Sequence, residues 1–129
     1  PPLIYGRDDL SRGYGPTGFT YKAVNNEEII LWGDGSEFRE FVYVDDVGKI
    51  VSKLINSNYN GILNLVSGTS HTYKEILDSL RNIMGLNIRV ESRERTKEKV
   101  DHHYSNELIN NVLGDFMFTS LQDGLREMC

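Results

Sequence analysis

At 129 residues the chain is long enough for one domain with a buried core, and its charge and cysteine content exclude several classes of protein. The net charge is -5, from 14 Lys and Arg against 19 Asp and Glu, so the whole chain has no electrostatic attraction for nucleic acid or anionic lipid. Its one cysteine, Cys129, cannot form an internal disulfide, and no apolar run approaches the ~20 residues of a membrane helix. We therefore expect a cytoplasmic protein with no nucleic-acid or membrane partner.

The start of the chain predicts a buried strand, a polar loop and a short helix. Residues 2–5 are apolar and are followed by glycine, which is typical of a buried strand. Residues 7–15 form a glycine-containing loop with charges of both signs, and this loop is a candidate for substrate contact. Residues 18–24 place Phe19 and Ala23 on one face of a helix.

A strand, a turn, a second strand and a helix are predicted next. Residues 28–32 and 38–44 are rich in β-branched and aromatic residues, and the turn sequence GDGS at 33–36 favours a hairpin-like pair. Asp45 is placed to cap a helix over residues 47–55, whose apolar residues recur at helical spacing.

Another strand and a capped helix follow. Residues 62–66 are predicted to form a second buried strand. Thr72 and Glu75 have the spacing of a capping box, which predicts a helix that runs to Met84 and stops at Gly85.

The last third of the chain predicts a strand, a charged loop and two short helices. Residues 88–91 indicate a strand, and residues 92–100 carry dense charge of both signs. Ser105 can cap a helix over residues 106–113, and Ser120 can cap a final helix. Strands that alternate with helices predict an α/β or α+β architecture.

Five segments resemble the NAD-dependent epimerase/dehydratase family, the extended short-chain dehydrogenases that act on nucleotide sugars. These segments are PPLIYG at 1–6, GDGSEFREFVYVDD at 33–46, NLVSG at 64–68, LG at 113–114 and SLQDGL at 120–125. The resemblance implies an α/β fold, the C-terminal part of a Rossmann-type enzyme that comprises the substrate lobe plus one or two strands of the parallel sheet. Residues 2–5 and 62–66 would be those strands.

The resemblance also implies a function that needs residues outside this chain. Neither the family's glycine fingerprint nor its Tyr-x-x-x-Lys pair occurs here as a working unit, so we interpret the chain as part of a longer protein. NAD or NADP would be bound mainly elsewhere, with Pro1 as the cofactor contact within these residues. In such enzymes a catalytic tyrosine takes a proton from a sugar hydroxyl while the nicotinamide accepts a hydride. The 129 residues alone are then predicted to be inactive.

Three further expectations concern assembly and the alternatives. Strands taken from a parallel sheet would expose apolar faces and unpaired edges, so we expect a homo-oligomer. A non-catalytic binding or regulatory protein of the same fold is one alternative to an enzyme. A free-standing small domain is another.

Two arginines are the main candidates for binding the substrate. A guanidinium offers a rigid fork of donors that fits phosphate oxygens, and the resemblance implies that Arg39 contacts the diphosphate of a nucleotide sugar. Pairing with Glu37, Glu40 or Asp45 is the alternative. The resemblance gives Arg95 a similar role toward the phosphates or ribose, although a solvated charged loop would explain it as well.

Two pairs of neighbouring residues complete the predicted binding site. The helix start at Gly18 and Phe19 offers N–H groups and a favourable dipole to an anion, but plain capping explains it equally. Ile30 and Trp32 lie at alternate positions of a predicted strand, where related enzymes contact the base of the nucleotide. A flat tryptophan suits stacking, and core packing is the alternative.

One position departs from the family. Many members carry an asparagine that contributes to phosphate binding where this chain has Leu3. Arg7 and Arg12 in the following loop are our candidates for replacement donors.

Other polar pairs have simpler explanations. Asp45 and Asp46 are explained by helix capping rather than by metal binding. His102 and His103 are adjacent, so in a strand they would point to opposite faces and could not share a metal ion. We therefore predict no metal site and no catalytic residue in these 129 residues.

Overall fold

Ten helices and strands make up the part of the chain that the computed structural model describes, residues 1–10, 12–85 and 87–129. The strands are β1 Leu3–Tyr5, β2 Ile29–Trp32, β3 Phe38–Tyr43, β4 Ser70–Thr72 and β5 Val90–Arg93. The helices are α1 Pro16–Val24, α2 Val44–Ile55, α3 Tyr73–Met84, α4 Glu107–Leu113 and α5 Leu121–Met128. None of the helices within these ranges has the length and apolar character that crossing a membrane requires.

The strands form two small sheets. In the first, β1 runs parallel to β3, with Leu3 opposite Phe41, and β4 runs antiparallel to the other edge of β3. In the second, β2 runs parallel to β5, with Ile29 opposite Val90. The α/β architecture predicted from the sequence is confirmed.

The predicted hairpin between residues 28–32 and 38–44 is wrong, because its two strands lie in different sheets. Both edges of β3 are already taken by β1 and β4. The Gly33 N–H continues the ladder between β2 and β5 by donating to the carbonyl of Arg93 at 2.8 Å. The turn therefore connects the sheets rather than two paired strands.

The strand predicted at 62–66 does not form in this part of the described chain, and β4 forms a few residues later. One carboxylate oxygen of Glu40 accepts the N–H groups of Ser67, by a short hydrogen bond, and of Gly68, at 3.2 Å. Val66 is buried with Ile50 and Ile109. The segment is thus held by a buried carboxylate and apolar packing instead of by a strand ladder.

Most helix ends follow the sequence prediction. The Thr72 side chain accepts from the Glu75 N–H at 3.1 Å in a complete capping box, and Gly85 ends α3 in the left-handed conformation at φ 62°. Ser120 accepts from the Asp123 N–H at 3.1 Å and caps α5. The start of α1 lies two residues before the predicted start, and β5 begins two residues after its predicted start.

The predicted cap of α2 is wrong. The residue at its N-cap is Tyr43. Asp45 and Asp46 lie in the first turn, where the interaction of a negative charge with the helix dipole is stabilising. Asp46 is fully buried and accepts hydrogen bonds from the Thr119 N–H at 2.6 Å and the Thr119 hydroxyl at 2.9 Å. Its carboxylate therefore ties α2 to the segment that leads into α5.

The main core lies where β1, β2 and β3 meet α1, α3 and α5. Tyr5 and Leu125 are among its buried residues. Gly124 allows α5 to lie against Tyr5, because a Cβ atom there would be 2.2 Å from the tyrosine hydroxyl oxygen.

We expect Asp46→Ala to lower the free energy of unfolding by about 1 to 3 kcal/mol, because the Thr119 N–H loses its acceptor at a partly buried site. Asp45→Ala is the matched control, since Asp45 lies in the same helix turn but is exposed. Urea unfolding of both variants measures the difference. Equal losses in the two would show that the helix dipole, and not the Thr119 contacts, accounts for the effect.

We also expect the 129-residue chain to self-associate. β1 is the edge of its sheet, with Leu3 and Ile4 about half exposed, and Ile55 on α2 is 77% exposed. Light scattering should give a mass above that of the monomer, and Ile55→Lys should lower this mass. A monomeric mass at every concentration would contradict the expectation.

Candidate functional site

A cavity of about 380 Å³ opens where the end of β2, the start of β3 and the start of α3 meet the charged loop before residue 101. Its chemistry is set by a few side chains, which are Tyr14, Trp32, Glu37, Arg39, Tyr73 and Arg95. Two guanidiniums, the Glu37 carboxylate and three aromatic rings thus face one space, which Lys97 and Glu98 also line.

Arg39 is held at the floor of this cavity by acceptors of the chain itself. Its Nη1 donates to the carbonyl of Phe38 at 2.7 Å and to the carbonyl of Val100 by a short hydrogen bond. Its Nη2 donates to Glu37 Oε1, also by a short contact. Only 17% of the Arg39 side chain is exposed, so the guanidinium is fixed and largely removed from water.

Arg95 reaches the same carboxylate from the opposite side. Its Nη1 lies 3.2 Å from Glu37 Oε2, and its Nη2 donates to the carbonyl of Trp32 at 3.4 Å. The side chain is 18% exposed. Gly33 leaves room for it, because a Cβ atom at Gly33 would lie 3.1 Å from the guanidinium.

The loop that carries Arg95 is fastened to β3 by its backbone and by Asp101. The His102 N–H donates to the carbonyl of Phe38 at 3.0 Å, and Asp101 accepts from the Phe38 N–H at 3.0 Å. The hydrogen bond from Arg39 to Val100 adds a third attachment. A simple solvated loop therefore does not describe the surroundings of Arg95.

Aromatic side chains form the other wall. The backbone N–H of Trp32 donates to the Tyr14 hydroxyl at 3.0 Å, and the ring centroids of Tyr14 and Tyr73 are 4.4 Å apart. Burial raises the pKa of both tyrosines, although the Arg39 charge opposes the shift at Tyr73. Trp32 is 41% exposed, so this wall presents a flat surface that is open to a ligand and is not core.

Three of the six substrate-site residues predicted from the sequence come together here, namely Arg39, Arg95 and Trp32. Phe19 is buried one layer deeper, with its ring centroid 5.0 Å from that of Tyr14. Ile30 lies on the same face of β2 as Trp32 but outside the cavity lining. Their predicted roles toward a ligand stay predictions.

The open anion site predicted at Gly18 is wrong in its geometry. Gly18 is buried, and a Cβ atom there would lie 1.5 Å from the carbonyl oxygen of Gly13. The missing side chain makes room for the chain's own loop and not for a ligand.

The same contact tests whether these residues suit the pyrophosphate of a dinucleotide. Gly13, Gly15 and Gly18 have the spacing of a dinucleotide fingerprint, which should present free N–H groups directly after a strand. Here the Gly13 carbonyl covers the last glycine, and a loop of ten residues separates β1 from α1. The described residues therefore do not fit that part of a dinucleotide. The cofactor contact predicted at Pro1, which is exposed at the start of the chain, stays a prediction.

Both candidate replacement donors of the first loop contact other parts of the chain, and their role toward a ligand stays a prediction. Arg7 bonds to the backbone and side chain of Glu127 at the end of α5, with 3.0 Å between its Nη2 and Glu127 Oε2. The Arg12 guanidinium lies 4.2 Å from the centre of the Tyr21 ring. From this loop it is Tyr14, and neither arginine, that enters the cavity.

Sequence reasoning missed Tyr14 and Tyr73 and considered Glu37 only as one possible partner of Arg39. An aromatic residue between two glycines in a polar loop is a weak signal that could have indicated Tyr14. The pairing of Glu37 with both arginines leaves no signal in the sequence, because Arg95 lies 58 positions later in the chain.

A larger cavity of about 590 Å³ lies between β4, α3 and residues 118–122. Its lining includes Glu75 and Asp78 and, among the described residues, no lysine or arginine. His71 and Glu75 pair across its edge at 3.2 Å. A described lining that has carboxylates but no lysine or arginine does not suit phosphate. The 380 Å³ cavity is therefore the better candidate for a phosphate site, although it is smaller.

The two adjacent histidines, His102 and His103, contact aromatic side chains. The His102 Nδ1 lies 3.5 Å from the Tyr104 hydroxyl, and the His103 ring centroid is 5.1 Å from that of Phe38. Across the residues that the structure describes, no group of three or more His, Cys, Asp and Glu side chains could hold a metal ion.

Comparison with known proteins gives matches in both sequence and fold. Residues 4–65 match the NAD dependent epimerase/dehydratase family. A probable GDP-L-fucose synthase 1 of Oryza sativa subsp. japonica is 38% identical over 66 residues, which cover 50% of this chain and 20% of that protein. A putative UDP-glucose 4-epimerase of Methanocaldococcus jannaschii is 34% identical over 67 residues, which cover 52% of this chain and 22% of that protein.

Solved structures extend the likeness to almost the whole chain. The UDP-glucose 4-epimerase of Thermotoga maritima, solved with UDP-glucose, has a TM-score of 0.85 at 25% identity and covers 98% of this chain. The UDP-glucuronic acid 4-epimerase of Bacillus cereus, solved with UDP-glucuronic acid and NAD, has a TM-score of 0.84 at 18% identity, and this likeness concerns the fold alone.

The chain spans 42% of the Thermotoga structure and about a fifth of the curated relatives. These matches confirm the resemblance to the NAD-dependent epimerase/dehydratase family, over residues 4–65 in sequence and over nearly the whole chain in its Rossmann-type fold.

Proposed function

We propose that these residues form the substrate-binding portion of an NAD(P)-dependent nucleotide-sugar epimerase, dehydratase or reductase that is longer than 129 residues. The observation that carries the proposal is the meeting of Arg39 and Arg95 in one cavity beside Trp32. A basic pair next to an exposed flat ring is the arrangement that a diphosphate joined to a base requires.

The two guanidiniums would bind the diphosphate. Each is anchored by backbone carbonyls of neighbouring segments, Arg39 by Phe38 and Val100 and Arg95 by Trp32. Little side-chain freedom is lost when such anchored groups bind an anion, which favours affinity.

The aromatic wall would receive the other end of the nucleotide. The Trp32 ring offers an apolar face for the base, while the hydroxyl of Tyr14 holds the Trp32 backbone in place. A diphosphate fixed at Arg39 and a base fixed at Trp32 would leave the sugar at a defined position relative to the rest of the enzyme.

NAD or NADP, when bound, would supply the hydride acceptor of the reaction. The described residues do not fit the pyrophosphate of this cofactor, so we assign it mainly to residues outside the 129. The likeness to enzymes that have NAD in their solved structures supports the assignment. Our proposal for the present chain is therefore limited to binding and orienting the substrate.

A non-catalytic binding protein of the same fold would use the same cavity. Leu3, the departure from the family, lines a separate cavity of about 240 Å³ beside Arg39 and Glu40. The two hypotheses share the ligand and differ in turnover, so measurements of binding and of turnover are both needed.

We expect Arg39→Ala to weaken the binding of UDP-glucose or GDP-L-fucose by about 10- to 100-fold, because charge-assisted hydrogen bonds to phosphate are lost. Isothermal titration of the protein as it occurs, with any residues that flank these 129, measures the change. Arg93→Ala is the matched control, since Arg93 pairs with Glu91 on exposed β5 and lies outside the cavity. Equal affinities in wild type and Arg39→Ala would contradict the proposed site.

We expect the 129 residues alone to show no turnover of a nucleotide sugar with NAD or NADP, because the Tyr-x-x-x-Lys pair is missing from their sequence. Product analysis by chromatography, alongside absorbance of the reduced cofactor, measures this. The protein with its flanking residues is the control, and turnover by the 129 residues alone would refute the expectation.

A further inference from the structure

Glu37 lies at the centre of the site where the proposed function would put a phosphate. One of its carboxylate oxygens contacts Arg39 and the other lies 3.2 Å from Arg95. Only 15% of its side chain is exposed. One carboxylate thus serves two guanidiniums inside a cavity that opens to solvent.

A carboxylate and a phosphate bind the same hydrogen-bond donors. The carboxylate is planar and the phosphate is tetrahedral, but both accept charge-assisted hydrogen bonds from the guanidinium fork. Arg39 already donates to the carbonyls of Phe38 and Val100 and to Glu37. An incoming phosphate would therefore have to compete with Glu37 for Arg39, and again for Arg95.

The charge of Glu37 adds repulsion to this competition. Two guanidiniums and one carboxylate leave a net charge of +1 on the three side chains, while a diphosphate carries at least two negative charges. Like charges at close range oppose binding, and charges that are largely buried, as these side chains are, are screened only weakly by salt.

Glu37 also helps to orient both arginines, and this effect works in the opposite direction. Other contacts duplicate that help, however. Arg39 keeps its two carbonyl partners without Glu37, and Arg95 keeps the carbonyl of Trp32 and its packing against Gly33. We therefore expect the loss of competition to outweigh the loss of orientation.

From this balance we propose that Glu37 is an internal counter-ion that a diphosphate ligand must displace, so that this residue sets the affinity of the site for anions. The inference rests on the proposed function, because it takes the cavity of Arg39 and Arg95 as the phosphate site. It makes Glu37 a residue that determines affinity, in addition to the arginines that supply the attraction.

The test is the affinity for inorganic pyrophosphate, measured by isothermal titration of the protein as it occurs. Glu37→Gln keeps the shape of the side chain and removes its charge, and we expect it to bind pyrophosphate ~10-fold more tightly than wild type. Trp32, the one tryptophan of these 129 residues, lies in the cavity and gives an independent fluorescence signal.

Two further variants make the result specific. Glu98→Gln removes the same charge from the same cavity, at a residue that pairs with neither arginine among the described contacts. It should change the affinity much less than Glu37→Gln. Glu37→Asp keeps the charge but shortens the reach to the arginines. It replaces Glu37→Gln as the test of the counter-ion if Glu37→Gln fails to fold. We expect Glu37→Asp to bind pyrophosphate more tightly than wild type.

The outcomes separate this inference from the proposed function. Tighter binding in Glu37→Gln but not in Glu98→Gln supports the displaced counter-ion. If wild type binds pyrophosphate through Arg39 and Glu37→Gln binds equally or more weakly, the proposed function stands and the counter-ion is overturned. An equal gain in Glu98→Gln overturns it as well, because general electrostatics would then suffice. If no variant binds pyrophosphate, the phosphate site itself is refuted.

Discussion

The pairing of β3 on both of its edges is the constraint on which the rest of this structure depends. β1 takes one edge in parallel and β4 takes the other in antiparallel fashion, so β3 is the central strand of the only three-stranded sheet in the described chain. Adjacent residues of a strand point to opposite faces. Arg39 consequently points into the cavity, while Glu40 points the other way and binds the backbone at Ser67 and Gly68. One strand thus fixes both the arginine that lines the cavity and the loop that leads to α3.

The local parts of this fold could be read from the sequence because their causes are local. The capping box of Thr72 and Glu75, the left-handed Gly85 and the cap at Ser120 each depend on residues within four positions of one another. The choice of strand partners depends instead on distant segments. The hairpin prediction failed for this reason, since neither β2 nor β3 carries any local mark of the distant strands with which it pairs.

The candidate site shows the same division. The chemistry of Arg39, Arg95 and Trp32 could be predicted by residue type and by the resemblance, and the structure brings these three together. Which acceptors hold the arginines could not be predicted, because a carbonyl such as that of Val100 has no signature in a sequence. The partners of Arg7 and Arg12 could not be predicted for the same reason, since Glu127 and Tyr21 are distant from them in the chain or carry no mark of the contact. Charge alone does not tell which partner a guanidinium will find.

Net charge is accordingly a poor guide to what this protein can bind. The chain carries -5 overall, yet the cavity gathers Arg39, Arg95 and Lys97 against only Glu37 and Glu98. Such a local excess acts over short distances, because charges separated by more than about 8 to 10 Å are screened at physiological salt. Attraction at long range is therefore weak, and selection of an anion has to happen by direct contact. If the cavity binds a diphosphate as we propose, the strength of binding then depends on the acceptors that the arginines already have, and the Glu37 carboxylate matters to affinity as the positive charges around it do.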